Sequence, residues 1–441
     1  MSPHVERPAD GPGLVVESVP YARGLAAVAL TVAAGGDDDP PGRHGMAHLV
    51  EHLMFPRSET YETHETYKTH EAYEGGVSAD DAPDSHVVRV EGAGGVCNAE
   101  THRDHTVFHT TVPASMLDDV LAWEARRLRE FAPSAEAIRT ETAVIAEEIR
   151  GTAGSRIWDT VLASVVPGAR DSFGTASELA RTKREEALAF FGRHYTADRM
   201  VLSIVGDVDT AAVAAKANAL FAGVRLASDG TATAPPPRSA LPATDPAWPA
   251  TDPASLPLTT SVPAAADGVA LGHRLPDPVT SRSAYLAHVV LAEVLARSHF
   301  PRLVRRDPRF TAAGMSCGLY GQWLASAAPD VVLVRMRCAR GVGAAEAVDA
   351  WRDVLRAVAG APVDADAHRR AVNSLLVAAH RQEDSLVARA VGQGRAALLF
   401  GGHPATPAAE LAAVTPLQVA DAARALLAAP PTVTELVGGP R

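Results

Sequence analysis

The sequence has few cysteines, no long apolar run and a deficit of positive charge, and each shortage excludes a class of protein. Three cysteines (Cys97, Cys317 and Cys338) are scattered over 441 residues, an odd number that builds no disulfide framework and fits a reducing compartment. No run of 18 or more apolar residues occurs, so a membrane-spanning helix is not expected. We therefore expect a globular protein that does not associate with a membrane.

The N-terminal region lacks the apolar segment of a secretory signal, since Glu6, Asp10 and Pro12 interrupt it. Together with the few cysteines, this predicts a cytoplasmic location. Acidic residues outnumber basic ones, 52 to 41, and the formal net charge is −11 at pH 7. That balance argues against nucleic acid as a partner and mildly favours basic ligands, although acidic charge often serves solubility alone.

What the sequence does contain is the pattern H-x-x-E-H at His48-Leu49-Val50-Glu51-His52. In a helix, His48 and His52 are one turn apart on a shared face, so both can bind one zinc ion. Glu51 lies beside them and can take a proton from a water on the metal, which is how a zinc peptidase works. A pattern this short also arises by chance, so the rest of the chain must support it.

A hydrolytic zinc site needs a third protein ligand, usually an acidic oxygen or another histidine. Glu141 and Glu148 are seven residues apart on a predicted helix, about two turns, and therefore point the same way. One of them can bind the metal while the other orients a histidine, whereas Glu147 points elsewhere and should be solvated. The alternative is that these are ordinary acids on a helix surface.

Apolar or alternating runs predict strands in the first part of the chain, at 14–19, 24–34 and 86–91, and a β-hairpin formed by 94–101 and 106–112. Between the motif helix and the strand predicted at 86–91, residues 59–76 form an imperfect six-residue repeat with few aliphatic side chains to bury. We interpret 56–84 as an exposed insertion. Its His64 and His70 could bind metal, but a solvated loop is the preferred interpretation.

Short sequences recur at a constant distance along the chain. Glu178-Leu179-Ala180 recurs as Glu410-Leu411-Ala412, and the strand at 201–206 recurs at 433–438, so both offsets are 232 residues. Equal offsets indicate a duplicated domain. We predict a zinc-binding domain at 1–226, a linker rich in Pro, Ala and Thr at 227–266, and a metal-free homologous domain at 267–441, in which the equivalent helix has only a lone histidine, His288.

These features together resemble the pitrilysin/insulinase/mitochondrial-processing-peptidase family over nearly the whole chain. The resemblance is carried by His48-x-x-Glu51-His52, Gly94-Gly95-x-x-Asn98-Ala99, Glu141-x6-Glu148, the segment from Tyr195 to Asp207, and Val414-Thr415-Pro416. It implies an α+β fold of two homologous domains, each an antiparallel β-sheet packed with helices, in a clamshell assembly.

The resemblance also implies roles for individual residues. His48, His52 and Glu148 are expected to bind one Zn²⁺ per chain, with Glu51 as the general base and Glu141 as a supporting acid of the catalytic set. Asn98 and Ala99 are expected on an edge strand that pairs with an extended peptide substrate. A plain hairpin strand without that function is the alternative for these two residues.

In the second half, the sequence departs from the family pattern of an arginine and a tyrosine that bind substrate. Arg305 matches the arginine, but the tyrosine is expected near Ala312 and is absent, and Tyr320 follows eight residues later. Some short family members divide these roles between subunits. The resemblance therefore implies a dimer, in which a homologous subunit without metal supplies the Arg/Tyr pair, or a homodimer.

The function expected from the sequence is that of a zinc metalloendopeptidase that hydrolyses peptides or leader segments of precursors, as the catalytic subunit of a dimer. Two alternatives remain open. The chain could be a non-catalytic or partner-dependent scaffold subunit that binds peptides, or a zinc-containing binding module whose chamber the insertion blocks.

Overall fold

The computed structural model describes residues 3–54, 86–151, 156–224, 258–401, 403–404 and 406–438. The predicted insertion, with His64 and His70, and residues 227–257 of the predicted linker lie outside these ranges. Among the helices that the structure describes, none is long and apolar enough to cross a membrane.

The described strands form two β-sheets. They are β1 (His4–Glu6), β2 (Gly13–Ser18), β3 (Leu25–Val32), β4 (Val96–Thr101), β5 (Thr106–Pro113), β6 (Met200–Gly206), β7 (Leu258–Ala264), β8 (Gly268–Arg274), β9 (Phe310–Cys317), β10 (Val331–Cys338) and β11 (Thr432–Gly438). The strand orders are β1-β2-β6-β3-β5-β4 and β7-β11-β8-β10-β9. Each sheet is antiparallel except for one pair, β2 with β6 and β7 with β11.

Helices cover both sheets. They are α1 (Met46–Leu53), α2 (His86–Gly92), α3 (Leu117–Arg129), α4 (Ala135–Gly151), α5 (Arg156–Val165), α6 (Ala176–Leu179), α7 (Arg184–His194), α8 (Thr210–Phe221), α9 (Arg282–Val294), α10 (Phe300–Arg306), α11 (Ala344–Ala359), α12 (Ala365–Glu383), α13 (Leu386–Leu398), α14 (Ala408–Ala413) and α15 (Pro416–Ala428). Their apolar faces close one core over each sheet, where Leu49 of α1 and Trp351 of α11 are buried. Burial of such faces is the main stabilising term for layers of this kind.

The duplication predicted from the sequence repeats is confirmed by the strand order, since β2-β6-β3-β5-β4 and β7-β11-β8-β10-β9 have the same connections and the same single parallel pair. Glu178 of α6 accepts a hydrogen bond from the backbone N–H of His44, just before α1. In the second half, Oε1 of its counterpart Glu410 in α14 accepts from Nε of Arg282, at the start of α9, at 2.9 Å. Each carboxylate therefore binds the beginning of the equivalent helix, and the expected α+β fold of two homologous domains is confirmed.

Each half also donates a helix to the sheet of the other half. Val161 and Leu162 of α5 pack with Ala270 and Leu333 of the second sheet. Ala390 of α13 packs on the outer face of the first sheet. Because of this exchange, no single boundary in the sequence divides the chain into two parts that pack independently. The domain bounds 1–226 and 267–441 stay a prediction.

Two short segments differ from the sequence-based expectations. Residues 86–91 were expected as a strand but form α2, because His86 and Val90, four residues apart, are the buried positions. The predicted linker 227–266 is wrong for its last part, since Leu258–Ala264 is strand β7, paired in parallel with β11. Pro263 is tolerated there because β7 is an edge strand of the sheet.

Candidate metal centre and substrate cleft

The helix that carries the H-x-x-E-H motif begins at a fixed point, because Asp39 caps it. Asp39 Oδ2 accepts from the backbone N–H of Gly45 at 2.6 Å, and Oδ1 accepts from Ala47 at 2.8 Å. A carboxylate satisfies the free N–H groups of a helix N-terminus and interacts favourably with the helix dipole. Burial nevertheless raises the pKa of Asp39 to about 7, against the effect of the two N–H donors.

Two glycines bring the segment 171–174 against the start of α1. Gly45 has a φ of 102° and Gly174 a φ of 92°, and a Cβ on Gly174 would lie 2.4 Å from the Cα of Gly45. The close approach places the carbonyl oxygen of Phe173 3.2 Å from Nδ1 of His48. Because a carbonyl only accepts, Nδ1 of His48 carries the proton and Nε2 keeps its lone pair.

His52 is oriented in the same way by a carboxylate. Its Nδ1 lies 3.0 Å from Oε2 of Glu141, which is almost fully buried on α4. The two Nε2 atoms of His48 and His52 therefore turn toward each other, at 3.2 Å. An acceptor behind each imidazole is the usual arrangement around metal-bound histidines, since it fixes the tautomer and the ring orientation.

Glu148 completes a group of three ligand atoms. Its Oε2 lies 3.6 Å from Nε2 of His48 and 3.7 Å from Nε2 of His52. Ligand atoms at 2.0–2.2 Å on a tetrahedral zinc ion are roughly 3.3–3.6 Å apart, so the three separations fit one ion with a fourth position open. Within the described residues, this is the group of His, Cys, Asp or Glu side chains close enough to hold a metal.

Without a metal, the carboxylates of Glu141 and Glu148 raise the pKa of His52. Burial lowers its pKa, but hydrogen bonds to Glu141 and Glu148 outweigh that effect and raise the pKa to about 9. A metal ion must displace this proton, because only the neutral imidazole is a ligand. Metal binding at this site is therefore expected to become tighter as the pH rises toward 9.

Glu51 lies on the same helix, nearly buried, and faces a cleft of about 280 Å³ between the two halves of the chain. Oε2 of Glu51 accepts a hydrogen bond from the hydroxyl of Thr101, the last residue of β4. His48 lines the same cleft. The arrangement puts a buried carboxylate, oriented by a hydroxyl, beside the three ligand atoms.

The residues expected to bind substrate are not all in this cleft. Ala99 lines it and lies on β4, which is the edge of the first sheet. Asn98 is exposed on the same strand, opposite His109. Arg305 is exposed on α10 and does not line the cleft of its own chain. Glu147 is exposed and pairs with Arg150, as expected for a solvated residue.

Sequence reasoning missed Thr101 and Phe173 around this centre, and it set Tyr320 aside because Tyr320 follows the expected tyrosine position by eight residues. The Phe173 ring packs edge-on against His48, with centroids 5.9 Å apart. Tyr320, from the loop after β9, lies in the cleft with His48 and Glu51. Only the two glycines that flank Tyr320, Gly318 and Gly321, could have marked this loop, by predicting a tight turn.

Comparison with known families gives two adjacent matches. The family described as "Insulinase (Peptidase family M16)" matches residues 15–161, which contain His48, Glu51, His52, Glu141 and Glu148. The family described as "Peptidase M16 inactive domain" matches residues 181–375, from just before α7 in the first half into α12 in the second half.

Individual proteins agree with this assignment. An uncharacterized zinc protease of Rickettsia bellii is 25% identical over 227 residues, which is 50% of each chain. A probable β subunit of mitochondrial-processing peptidase from Arabidopsis thaliana is 27% identical over 214 residues, 47% of this chain and 36% of that protein. The alignments thus span about half or less of the length of these curated relatives.

Solved structures extend the similarity of fold to nearly the full length. A protease from Helicobacter pylori has a TM-score of 0.75 at 16% identity, covering 99% of both chains. A putative M16-like peptidase from Alicyclobacillus acidocaldarius has a TM-score of 0.70 at 14% identity, covering 99% of this chain and 98% of that one. The chain belongs to the insulinase family of peptidases, family M16.

Proposed function

We propose that this chain is a zinc-dependent endopeptidase and the catalytic subunit of a dimer. The proposal is carried by one observation: Nε2 of His48, Nε2 of His52 and Oε2 of Glu148 are spaced for a single tetrahedral ion, with an acceptor behind each histidine. A hydrolytic zinc site typically has histidine nitrogens and a carboxylate oxygen as its protein ligands and leaves one position of the metal open. The relatives named zinc proteases support the same metal.

The chemistry divides between the metal and the chain. Zinc, when bound, polarises the peptide carbonyl and makes a water ligand acidic near neutral pH. Glu51 takes the proton from the attacking water and delivers it to the leaving amine nitrogen, so it is first a base and then an acid. Glu141 holds His52, and the carbonyl of Phe173 holds His48.

The substrate backbone binds to the exposed edge of β4. Among the described strands, β4 is the last one of the first sheet, and its outer backbone groups pair with no other described strand. An extended peptide that adds to this edge gains main-chain hydrogen bonds and brings its carbonyl groups past Ala99 and Thr101 toward Glu51. A segment that is unfolded or leader-like suits this binding mode, because a folded chain cannot present a free strand.

A partner subunit is part of the proposal. Three of the relatives are named β subunits, or probable β subunits, of mitochondrial-processing peptidase. In this chain, Arg305 is exposed and stays outside its own cleft, which leaves it available to the site of a second subunit. We propose a dimer with a homologous chain, either a metal-free one that supplies an Arg/Tyr pair or an identical copy.

The test is to measure zinc content and cleavage of a flexible peptide by matched variants. Glu51→Gln should keep stoichiometric zinc and lower kcat by about 10²–10⁴, the usual contribution of a general acid–base residue. Glu148→Ala should lose the metal, whereas Glu147→Ala, its neighbour on the same helix, should keep both metal and activity. A zinc-free protein that retains full activity would refute the proposal.

The same assay, repeated with a partner chain, distinguishes a catalytic subunit from a non-catalytic scaffold subunit. If the chain depends on a second subunit, the isolated protein cleaves slowly and gains activity when the homologous chain is added. A zinc-loaded chain that binds peptides with that partner but cleaves none of them is a binding subunit. Strong activity of the monomer would exclude partner dependence.

A further inference from the structure

The loop that contains Tyr320 is strained at the point where it faces the metal centre. Among the described residues other than glycine, only Arg23, Tyr320 and Leu324 have a left-handed backbone, with φ of 56° at Tyr320 and 58° at Leu324. Two of the three thus lie in the loop 318–326. Strain of this kind persists where the surroundings enforce it, and it is concentrated at binding and catalytic sites.

Buried groups hold the loop in this conformation. The backbone N–H of Leu319 donates to Oδ1 of Asp330 at 2.9 Å, and that of Leu324 donates to the hydroxyl of Tyr285 at 3.1 Å. Just beyond the loop, the N–H groups of Ala327 and Ala328 both donate to Oδ2 of Asp104, in the turn between β4 and β5. The loop is therefore built rigidly and attached to the hairpin that carries the edge strand.

The Tyr320 side chain is fixed as well. Its hydroxyl donates to Oδ1 of Asp159 on α5 at 2.7 Å, and its ring lies against Trp158 with centroids 6.1 Å apart. On its other side the ring contacts Phe173, at 6.2 Å. Since Phe173 packs on His48, the aromatic rings form a continuous wall that runs from the metal centre into the second half.

Two of the charged residues that line the cleft near this wall, Arg103 and Asp330, already have partners within the chain. Arg103 is buried, donates to the carbonyl of Pro329 and pairs with Asp37 at 2.8 Å. Both oxygens of Asp330 are engaged, Oδ2 by Tyr285 at 2.8 Å and Oδ1 by Leu319 at 2.9 Å. Glu100 lies 3.1 Å from His102. Arg103 and Asp330 are therefore engaged within the chain, whereas the Glu100 side chain is half exposed at the rim of the cleft.

We infer that the loop 318–326 forms a side-chain pocket next to the scissile bond, and that Tyr320 makes this pocket select an apolar, preferably aromatic, residue of the peptide. The inference rests on the proposed peptidase function, because the cleft contains His48 and Glu51. Its volume of about 280 Å³ is slightly below the roughly 300–1,000 Å³ typical of ligand pockets, which suits one side chain of a peptide. The second half of this chain, whose described residues include no group of metal ligands, thereby contributes specificity to the site of the first.

The test uses a series of peptides that differ only at the residues flanking the cleaved bond, with Phe, Leu, Ala, Lys or Asp. The wild-type chain should cleave the Phe peptide with a kcat/KM at least tenfold above that of the Ala peptide. Tyr320→Asn, which tolerates the left-handed backbone, should lose at least tenfold on Phe and less than threefold on Ala. Tyr320→Phe keeps the ring and should keep the preference, and Tyr21→Ala, at an exposed tyrosine far from the cleft, is the control.

A binding measurement separates this inference from the proposed function. In the zinc-loaded Glu51→Gln protein, fluorescence anisotropy of the labelled Phe and Ala peptides should show the same preference, lost with Tyr320→Asn. Selective binding without any cleavage by the wild type would refute the peptidase proposal and keep the pocket. Cleavage with an unchanged preference in Tyr320→Asn, or an equal loss on all peptides, would refute the pocket and keep the peptidase.

Discussion

Thr101 donates its hydroxyl hydrogen to Oε2 of Glu51. Thr101 ends the edge strand β4, whereas Glu51 lies on α1, so the hairpin that presents the edge strand to a substrate also orients the proposed base. The neighbouring Thr106, at the start of β5, anchors the hairpin by donating to the carbonyl of Ala34 at 2.8 Å. Movement of the edge strand would therefore move the base with it.

Replacing Thr101 by valine should lower turnover without loss of zinc. Valine has the shape of threonine but cannot donate, and a hydrogen bond to a charged group contributes about 1.5–3 kcal/mol, which corresponds to a loss of roughly tenfold to a hundredfold in kcat. KM should change little. Thr101→Ser restores the donor and should restore most of the activity, so equal losses in the serine and valine variants would contradict the role assigned to the hydroxyl.

Replacing Glu141 by glutamine should weaken zinc binding although Glu141 is not a ligand. Glu141 holds Nδ1 of His52 at 3.0 Å, and loss of such a supporting carboxylate typically costs about 10–100-fold in metal affinity. Competition with a chelator measures the zinc dissociation constant. Glu147→Gln, at an exposed position of the same helix, is the control and should leave the constant unchanged.

The sequence predicts the parts of the centre that depend on spacing along one helix. His48 and His52 share a face of α1, Glu141 and Glu148 share a face of α4, and the structure brings the two faces together. The helical or strand period suffices for these residues because it is a local property.

Contacts between segments that are far apart in the sequence produce no periodic pattern of residues, and they could not be predicted from the sequence. Phe173 reaches His48 only because Gly45 and Gly174 allow two backbones to approach closely. Tyr320 reaches the cleft because its loop is bound to the hairpin turn at Asp104. The alternation in 86–91 predicted a strand, but burial of one helical face decided the structure of α2.

The exchange of helices between the halves predicts a strong effect at Gly394. This residue lies on α13 against the first sheet, where an added Cβ would be 2.3 Å from Oγ1 of Thr31 and 3.2 Å from Oγ of Ser203. Gly394→Val should lower the free energy of unfolding by about 1–3 kcal/mol, the usual cost of overpacking. Urea unfolding measures it. Gly360→Val is the matched control, since a Cβ there meets only the carbonyl of Arg356 at 3.5 Å.

The buried His273 predicts loss of stability in acid. Burial lowers its pKa to about 3, and its Nε2 accepts from Nε1 of Trp351 at 3.1 Å, which requires the neutral ring. The unfolded chain takes up the proton near pH 6.5, so this contribution to stability is complete above pH 6.5 and is lost as the pH falls toward 3. Between pH 8 and pH 5 the loss amounts to about 2 kcal/mol.

Urea unfolding at both pH values, followed by tryptophan fluorescence, measures this difference. His273→Gln keeps an acceptor for Trp351 but cannot be protonated, so its stability should fall less between pH 8 and pH 5 than that of the wild type. His380→Gln, at a histidine whose side chain is 62% exposed, should leave the pH dependence unchanged. An equal pH dependence in His273→Gln and the wild type would mean that His273 is protonated in the folded protein, at the expense of its bond to Trp351.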